Sequence, residues 1–193
     1  MTMPTTKEAS MDVPLLQVEL EKYMRTLWEE HVIWTRQVIV SLVAGLPDAD
    51  VAVARLLQNP IDMEKAFAMY YGDQTAAAVR DLLKVHLTTA AELVMAAKAG
   101  DTAKADDAEM RWYANADEIA VALNSINANW PKDAVMDMMH EHLKMTKAEA
   151  VARLSGKWDE DVQTFDMIEQ QIRMMADTLT EGIAKQFPDR FIA

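Results

Sequence analysis

The stretch DQTAAAVRDLLKVHLTTAAELVMAAKAGDTAKADDAEMRWYANADEIAVALNSIN, residues 73–127, decides the fold. Apolar side chains recur at intervals of three and four through 73–99 and again through 104–127, a spacing that predicts two long amphipathic helices. Gly100, Asp101 and a residue or two more separate them. Because so short a connection brings consecutive helices side by side, we predict an antiparallel pair.

The same periodicity predicts two further long helices, over residues 14–44 and 157–186. Short helices are predicted in the two connections outside the central pair, over residues 49–58, 61–70, 131–144 and 146–155. We therefore predict an all-α fold, a four-helix bundle with short helices in its two long connections. The whole chain, 1–193, is predicted to be a single helical-bundle domain, with about residues 1–12 as a flexible N-terminal tail.

Composition argues against several classes of function. The chain has 19 basic and 31 acidic side chains, a net charge of −12, so nucleic acid is not an expected partner. It has no cysteine, which excludes disulfides, thiolate catalysis and cysteine-ligated metal sites. The N-terminus lacks the pattern of a signal peptide, and no stretch reaches the roughly 18 apolar residues of a membrane span. We therefore expect a cytoplasmic protein with no membrane partner.

Several stretches resemble a family of small uncharacterised bacterial helical proteins, whose members often carry the label acetylglutamate kinase. They are LWEEHVIWTR at 27–36, AAELVMAAKAGD at 90–101, RWYANADEIA at 111–120, HLKMTKAEAVARLSG at 142–156 and EGIAKQFP at 181–188. The resemblance covers most of the chain and implies a helical fold. The kinase label does not suit this sequence. Amino-acid kinases are α/β proteins with glycine-rich phosphate-binding turns, and no two glycines here lie within twenty residues of each other.

The four histidines are the most informative polar residues. His31 and His86 lie on the apolar stripes of two long helices, near the middle of each, and His142 lies on the apolar face of a predicted short helix. His140 lies on the opposite, charged face and is expected in solvent. Three inward imidazoles from three different helices are the arrangement by which a bundle builds a metal site.

Carboxylates are available at similar heights along the helices. Glu169 is in register with apolar residues and is predicted to point inward as a metal ligand, with Asp166 as a second candidate. Glu30 and Asp117 are candidates for orienting the imidazoles. Burying an unpartnered carboxylate is costly, so an inward Glu needs a cation, a hydrogen-bond donor or a proton. Histidine with carboxylate ligation predicts a transition metal ion: iron, zinc or manganese.

Motifs in the sequence restrict the kind of metal centre. No Glu-x-x-His pair and no HExxH sequence occurs, so a ferritin-type dinuclear centre is disfavoured. The stretch 135–145 is rich in methionine and histidine, which could favour copper. Copper is the weaker candidate, because methionine at helical spacing more often belongs to a hydrophobic core.

Two functions from different classes follow. The first is a metal-binding bundle that works as a metal-dependent oxidoreductase, or as a hydrolase-like enzyme that uses the metal as a Lewis acid, on a small-molecule substrate that the sequence does not identify. The alternative is a non-enzymatic interaction or scaffold protein, a homodimer in which the inward histidines are hydrogen-bonded core groups.

Other residues are interpreted as structural. Six aromatic residues could line a pocket for an apolar ligand, although aromatic side chains at helical spacing more often form core. They are Trp28, Trp34, Trp112, Tyr113, Trp130 and Trp158. Arg36 is expected to form a surface ion pair. Thr146 and Glu149 have the spacing of a capping box for the last short helix.

Overall fold

The computed structural model describes residues 15–191 of the chain. Within that range it is built from helices, so the predicted all-α class is confirmed. They are α1 (Leu15–Ala44), α2 (Ala49–Leu56), α3 (Asn59–Tyr71), α4 (Asp73–Ala99), α5 (Thr102–Ile126), α6 (Lys132–Leu154) and α7 (Trp158–Gln186), with a short 3-10 helix at Pro188–Arg190. The predicted tail over residues 1–12 lies outside the described residues.

The central pair of helices is antiparallel, as predicted. α4 ends at Gly100, whose φ of 71° lies in the left-handed region that glycine adopts without strain. Asp101 then caps α5 by accepting a hydrogen bond from the backbone N–H of Lys104. Farther along, Arg111 of α5 binds Glu92 of α4, so the two helices pass in opposite directions.

Ion pairs show the direction in which the outer helices run. Arg25 of α1 bonds to Asp177 of α7, and Arg36 of α1 bonds to Asp161 of α7, so those two helices are antiparallel. Arg36 also bonds to Glu149 of α6. The residues through which α1, α4 and α6 contact one another follow in the same order along each helix, so these three helices are parallel. α5 and α7 run in the opposite direction.

The prediction of two short helices between residues 131 and 155 is wrong. α6 is one helix of 23 residues. No glycine or proline interrupts it, and the Thr146 hydroxyl donates to the carbonyl of His142 as threonine does inside a helix. Glu149 binds Arg36 instead of closing a capping box. Within residues 15–191 the bundle therefore has five long helices, α1, α4, α5, α6 and α7, where the sequence predicted four.

One large hydrophobic core joins α1 to α3, α4, α5, α6 and α7. Trp130, in the connection before α6, is fully buried. Its indole lies against Gly182 of α7, where a Cβ atom would collide with the ring. Among the described residues, no helix combines the length and the apolarity needed to cross a bilayer.

Candidate functional site

Three histidines meet inside the bundle. His31 of α1, His86 of α4 and His142 of α6 are each at least 97% buried. The ring centroid of His31 lies 5.8 Å from that of His142 and 6.4 Å from that of His86. Because α1, α4 and α6 run parallel, residues near the middle of each helix reach the same layer.

An asparagine fixes the orientation of the His31 ring. Asn59, the first residue of α3, is fully buried and donates from Nδ2 to the backbone carbonyl of Leu27, at 2.8 Å. Its Oδ1 therefore faces Nδ1 of His31, at 3.2 Å. Since an amide oxygen only accepts, the Nδ1 of His31 carries the proton and Nε2 carries the lone pair.

The same arrangement recurs at His86. Asn115 of α5 donates from Nδ2 to the carbonyl of Leu82, at 3.2 Å, and its Oδ1 lies 3.1 Å from Nδ1 of His86. In both cases the carbonyl belongs to the residue four positions before the histidine. We call this arrangement an amide bridge: a side-chain amide donates to the carbonyl of residue i and turns its oxygen to the Nδ1 of a histidine at i+4.

A third amide bridge is nearly complete at His142. Gln171 of α7 donates from Nε2 to the carbonyl of Met138, four residues before His142, at 3.0 Å. The Gln171 side chain lies close enough to the His142 ring to oppose the lowering of its pKa. Its Oε1 and the Nδ1 of His142 are both buried, and neither has a partner of good geometry within the described residues. One of the two hydrogen bonds of an amide bridge is therefore formed at His142, and the other is not.

The three imidazoles are neutral. Burial lowers the pKa of His31 to about 4 and the pKa of His142 to about 3. Burial also lowers the pKa of His86 well below its usual value, and the neighbouring His31 and His142 lower it further. Neutral rings whose Nδ1 atoms carry the proton, as at His31 and His86, offer Nε2 lone pairs.

Two tryptophans pack against the cluster. The Trp28 ring lies 5.6 Å from the His31 ring, and the Trp112 ring lies 5.5 Å from the His86 ring. Both indole N–H groups are buried without a partner among the described residues. The histidines are thus enclosed by aromatic and aliphatic side chains, which keeps water away and accounts for their low pKa values.

The predicted carboxylates lie elsewhere. Asp166 is exposed, and Glu169 is half-buried and paired with Arg173 of its own helix. Glu30 pairs with Arg55, and Asp117 accepts a hydrogen bond from Nε2 of His140. As the side chains stand, no set of three or more His, Asp or Glu residues within 15–191 is arranged to hold a metal ion.

The residues that orient the imidazoles are amides, which the sequence analysis missed. Asn115 lies three residues after Trp112 and four before Ile119, so it shares their apolar stripe, and this position was the available signal. Asn59 precedes Pro60 and is easily taken for a helix boundary. Gln171 lies next to the buried Ile172 and gave no pattern of its own.

A second buried polar cluster lies between α1, α6 and α7. Arg36 donates to Glu149 at 2.5 Å and to Asp161 at 2.7 Å, and Arg153 donates to Asp161 at 3.0 Å. Both carboxylates are almost fully buried, so Arg36 is not in a surface ion pair as predicted. Burial raises the pKa of Glu149 to about 7, whereas the two guanidinium groups lower the pKa of Asp161.

No protein-family model matches this chain, and no curated protein or solved structure is significantly similar to it. The resemblance described from the sequence stays a prediction. The proposed function therefore rests on the geometry of the site alone.

Proposed function

We propose that this protein binds one divalent transition metal ion through the Nε2 atoms of His31, His86 and His142. The observation that carries the proposal is the amide bridge, formed twice and nearly formed a third time. Metal-binding histidines almost always donate their second ring N–H to a protein acceptor, which selects the tautomer and aims the other nitrogen. His31 and His86 each have an amide oxygen at Nδ1 and meet that requirement, and the amide of Gln171 lies beside the ring of His142.

The charge state of the site fits the same proposal. A metal ligand must be a neutral imidazole, and a histidine that stays neutral well below pH 7 binds a metal without first losing a proton. Burial keeps the pKa of His31 at about 4 and that of His142 at about 3. Metal binding at these two residues should therefore persist at mildly acidic pH.

Metal binding requires a modest closure of the rings. In a tetrahedral zinc site the nitrogens lie about 2.0–2.1 Å from the metal, which places the ring centroids roughly 5 to 5.5 Å apart. The centroid separations of 5.8 and 6.4 Å exceed that spacing by about 0.3 to 1.4 Å. The side chains would have to move inward by that amount when the metal binds.

The three nitrogen ligands limit which metals the site would bind and which reactions it would support. Imidazole donors suit zinc, iron, copper and nickel, whereas manganese prefers the carboxylates that this site lacks. Three nitrogen ligands leave a fourth position for water or a substrate atom, as in catalytic zinc sites. Such a metal polarises a bound oxygen or activates a bound water. If the bound metal is iron or copper, the protein would have the oxidoreductase activity predicted from the sequence.

Metal analysis of untagged protein tests the proposal. We expect about one equivalent of a single transition metal in the wild type, and a melting temperature that rises when metal is returned to chelator-treated protein. His86→Asn should lose the metal and keep its helical circular dichroism. His140→Asn is the matched control, because His140 is half-exposed and bonds to Asp117 away from the cluster; it should keep the metal.

The alternative, a scaffold with structural histidines, predicts the opposite result. Wild-type protein would then hold no metal, even after incubation with zinc, iron, copper and nickel. Its melting temperature would be the same with and without each ion.

A further inference from the structure

A cavity of about 150 Å³ lies between α1, α4, α5 and α6, on one side of the histidine cluster. Its walls include Val38 of α1, Leu87 of α4, Trp112 of α5 and Ala150 of α6. None of the three proposed metal ligands lines this cavity. It is partly open to solvent, because exposed residues, among them Ala97, Asp106 and Val151, form part of its lining.

Small side chains create the cavity. Ala90, Ala91 and Ala97 line it from α4, Ala105 lines it from α5 and Ala150 lines it from α6. Where five alanines from three helices line the same space, the side chains do not fill the gap between the helix axes. Protein interiors are otherwise packed to crystal-like density, so a gap of this size marks a place where a ligand fits.

The body of the cavity offers little to a polar ligand, and the charged residues of its lining, Asp106, Glu109 and Lys147, are at least partly exposed to solvent. The Thr35 hydroxyl donates to the carbonyl of His31, and the Thr146 hydroxyl donates to the carbonyl of His142, so each presents its methyl group instead of a donor. At the rim, Glu109 is paired with Lys147. Polar recognition is therefore absent from the body of the cavity, and an uncharged apolar molecule is the occupant that fits.

The cavity begins one helical turn beyond the histidines. Three of its wall residues, Thr35, Ala90 and Thr146, each lie four positions after His31, His86 and His142 respectively. Trp112 lines the cavity and also contacts the His86 ring, at 5.5 Å between centroids. A molecule in the cavity would thus lie directly beside the histidine layer.

We infer that this cavity is a binding site for a small, uncharged, apolar molecule of about the size of benzene. Apolar cavities of about 150 Å³ stay dry and bind benzene, which sets the size. The binding itself depends on the walls and not on a metal. That the molecule is held beside a metal, in position to react there, rests on the proposed function.

Toluene added to chelator-treated protein tests the inference. We expect near-saturating toluene to raise the melting temperature of the wild type by about 3 °C or more, because a ligand that binds only the native state stabilises it. Ala150→Leu fills the cavity and should abolish the rise. Ala148→Leu, at an exposed position of the same helix, should leave the rise intact.

A second variant and a second measurement locate the site. Ala90→Leu fills the cavity from α4 and should also abolish the effect, so the test does not depend on the folding of one variant. Nuclear Overhauser contacts from the toluene methyl group should reach the methyl groups of Thr35 and Thr146. No rise in the wild type, or an equal rise in Ala150→Leu and Ala90→Leu, would overturn the inference. All of these measurements exclude metal, so their failure and the failure of metal binding are separate results.

Discussion

Asn115 Oδ1 lies 3.1 Å from Nδ1 of His86, and the same amide donates to the carbonyl of Leu82, one turn earlier in α4. The amide thereby holds the imidazole and the helix that carries it in one fixed relation. Asn59 does the same for His31 of α1. At both histidines the amide oxygen accepts a hydrogen bond from Nδ1–H, so the lone pair lies on Nε2, which is the nitrogen that the proposed metal site requires.

Removing one amide bridge should weaken metal binding without unfolding the protein. Asn115→Leu keeps the approximate shape of the side chain and removes the acceptor at His86 Nδ1. Loss of such an orienting group typically costs 10- to 100-fold in metal affinity. We expect a loss in that range, measured by competition with a chromophoric chelator.

Glu118 supplies the control for that variant. It lies three positions after Asn115 in the same helix but is exposed, and its replacement by leucine is again a change from a polar to an apolar side chain. Glu118→Leu should therefore bind the metal like the wild type. Equal affinities for Glu118→Leu and Asn115→Leu would show that the amide bridge has no part in metal binding.

Acidification should destabilise the metal-free protein. The loss of stability should begin at a pH well above the usual pKa of a carboxylate. In the unfolded chain each histidine takes up a proton near pH 6.5. In the folded protein the pKa values of His31 and His142 are about 4 and about 3, and that of His86 is also strongly lowered. The unfolded state thus binds up to three more protons, and the free energy of unfolding falls as the pH drops below about 6.5.

Glu149 opposes this trend. Burial raises its pKa to about 7, so between pH 7 and 4.5 the folded state binds the extra proton at this residue. Three histidines less one glutamate leave a net difference of about two protons, or about 2 to 3 kcal/mol per pH unit near pH 5. Urea unfolding at pH 7.5, 6 and 5 measures the slope. A flat profile, or a rise in stability on acidification, would refute the assignment of neutral buried histidines.

Arg36→Met should be severely destabilising, because it leaves Glu149 and Asp161 buried with one guanidinium, that of Arg153, instead of two. Breaking a buried ion pair by removing one partner costs about 3–5 kcal/mol. Arg173→Met is the surface control: Arg173 pairs with Glu29 and Glu169, which are all partly exposed, and should cost about 1 kcal/mol or less. Chemical denaturation at pH 8 gives both values. Similar losses for the two variants would argue against a buried network at Arg36.

Gly182→Ala should destabilise the protein, although alanine in a helix interior is ordinarily favoured over glycine by about 1 kcal/mol. The added Cβ would meet the indole of Trp130, which is fully buried and has no space to retreat. We expect a loss of about 1–3 kcal/mol in thermal or chemical unfolding. In a Trp130→Leu background the same change should be neutral or stabilising. A stabilising effect in the wild-type background would contradict the described packing of Trp130 on Gly182.

The sequence was informative where apolar periodicity decides the position of a residue. The stripes of α1 and α4 placed His31 and His86 in the interior, and the face shared with Val135 and Met139 placed His142 there. Periodicity says which way a side chain points, and three inward rings at mid-helix follow from it. The central helix pair was predictable for the same reason, since Gly100 ends one stripe just before the next begins.

Periodicity failed where a polar side chain chooses between several partners. Glu169 lies in register with the apolar stripe of α7, yet its carboxylate pairs with Arg173 near the surface. Glu149 had the spacing of a capping box and instead pairs with Arg36, more than a hundred positions away in the chain. Such pairings depend on how the helices pack. For the same reason, the amides of Asn59, Asn115 and Gln171 could not be assigned to particular histidines from the sequence.

The measurement that tests the central claim most directly is long-range ¹H–¹⁵N NMR of the histidine rings during a zinc titration. Before zinc, His31 and His86 should show protonated Nδ1 atoms and unprotonated Nε2 atoms. At one equivalent of zinc, the Nε2 resonances of His31, His86 and His142 should all move to the range of metal-bound nitrogen, while that of His140 should not. Nε2 resonances of the three buried rings that stay unchanged at saturating zinc would contradict the proposed site.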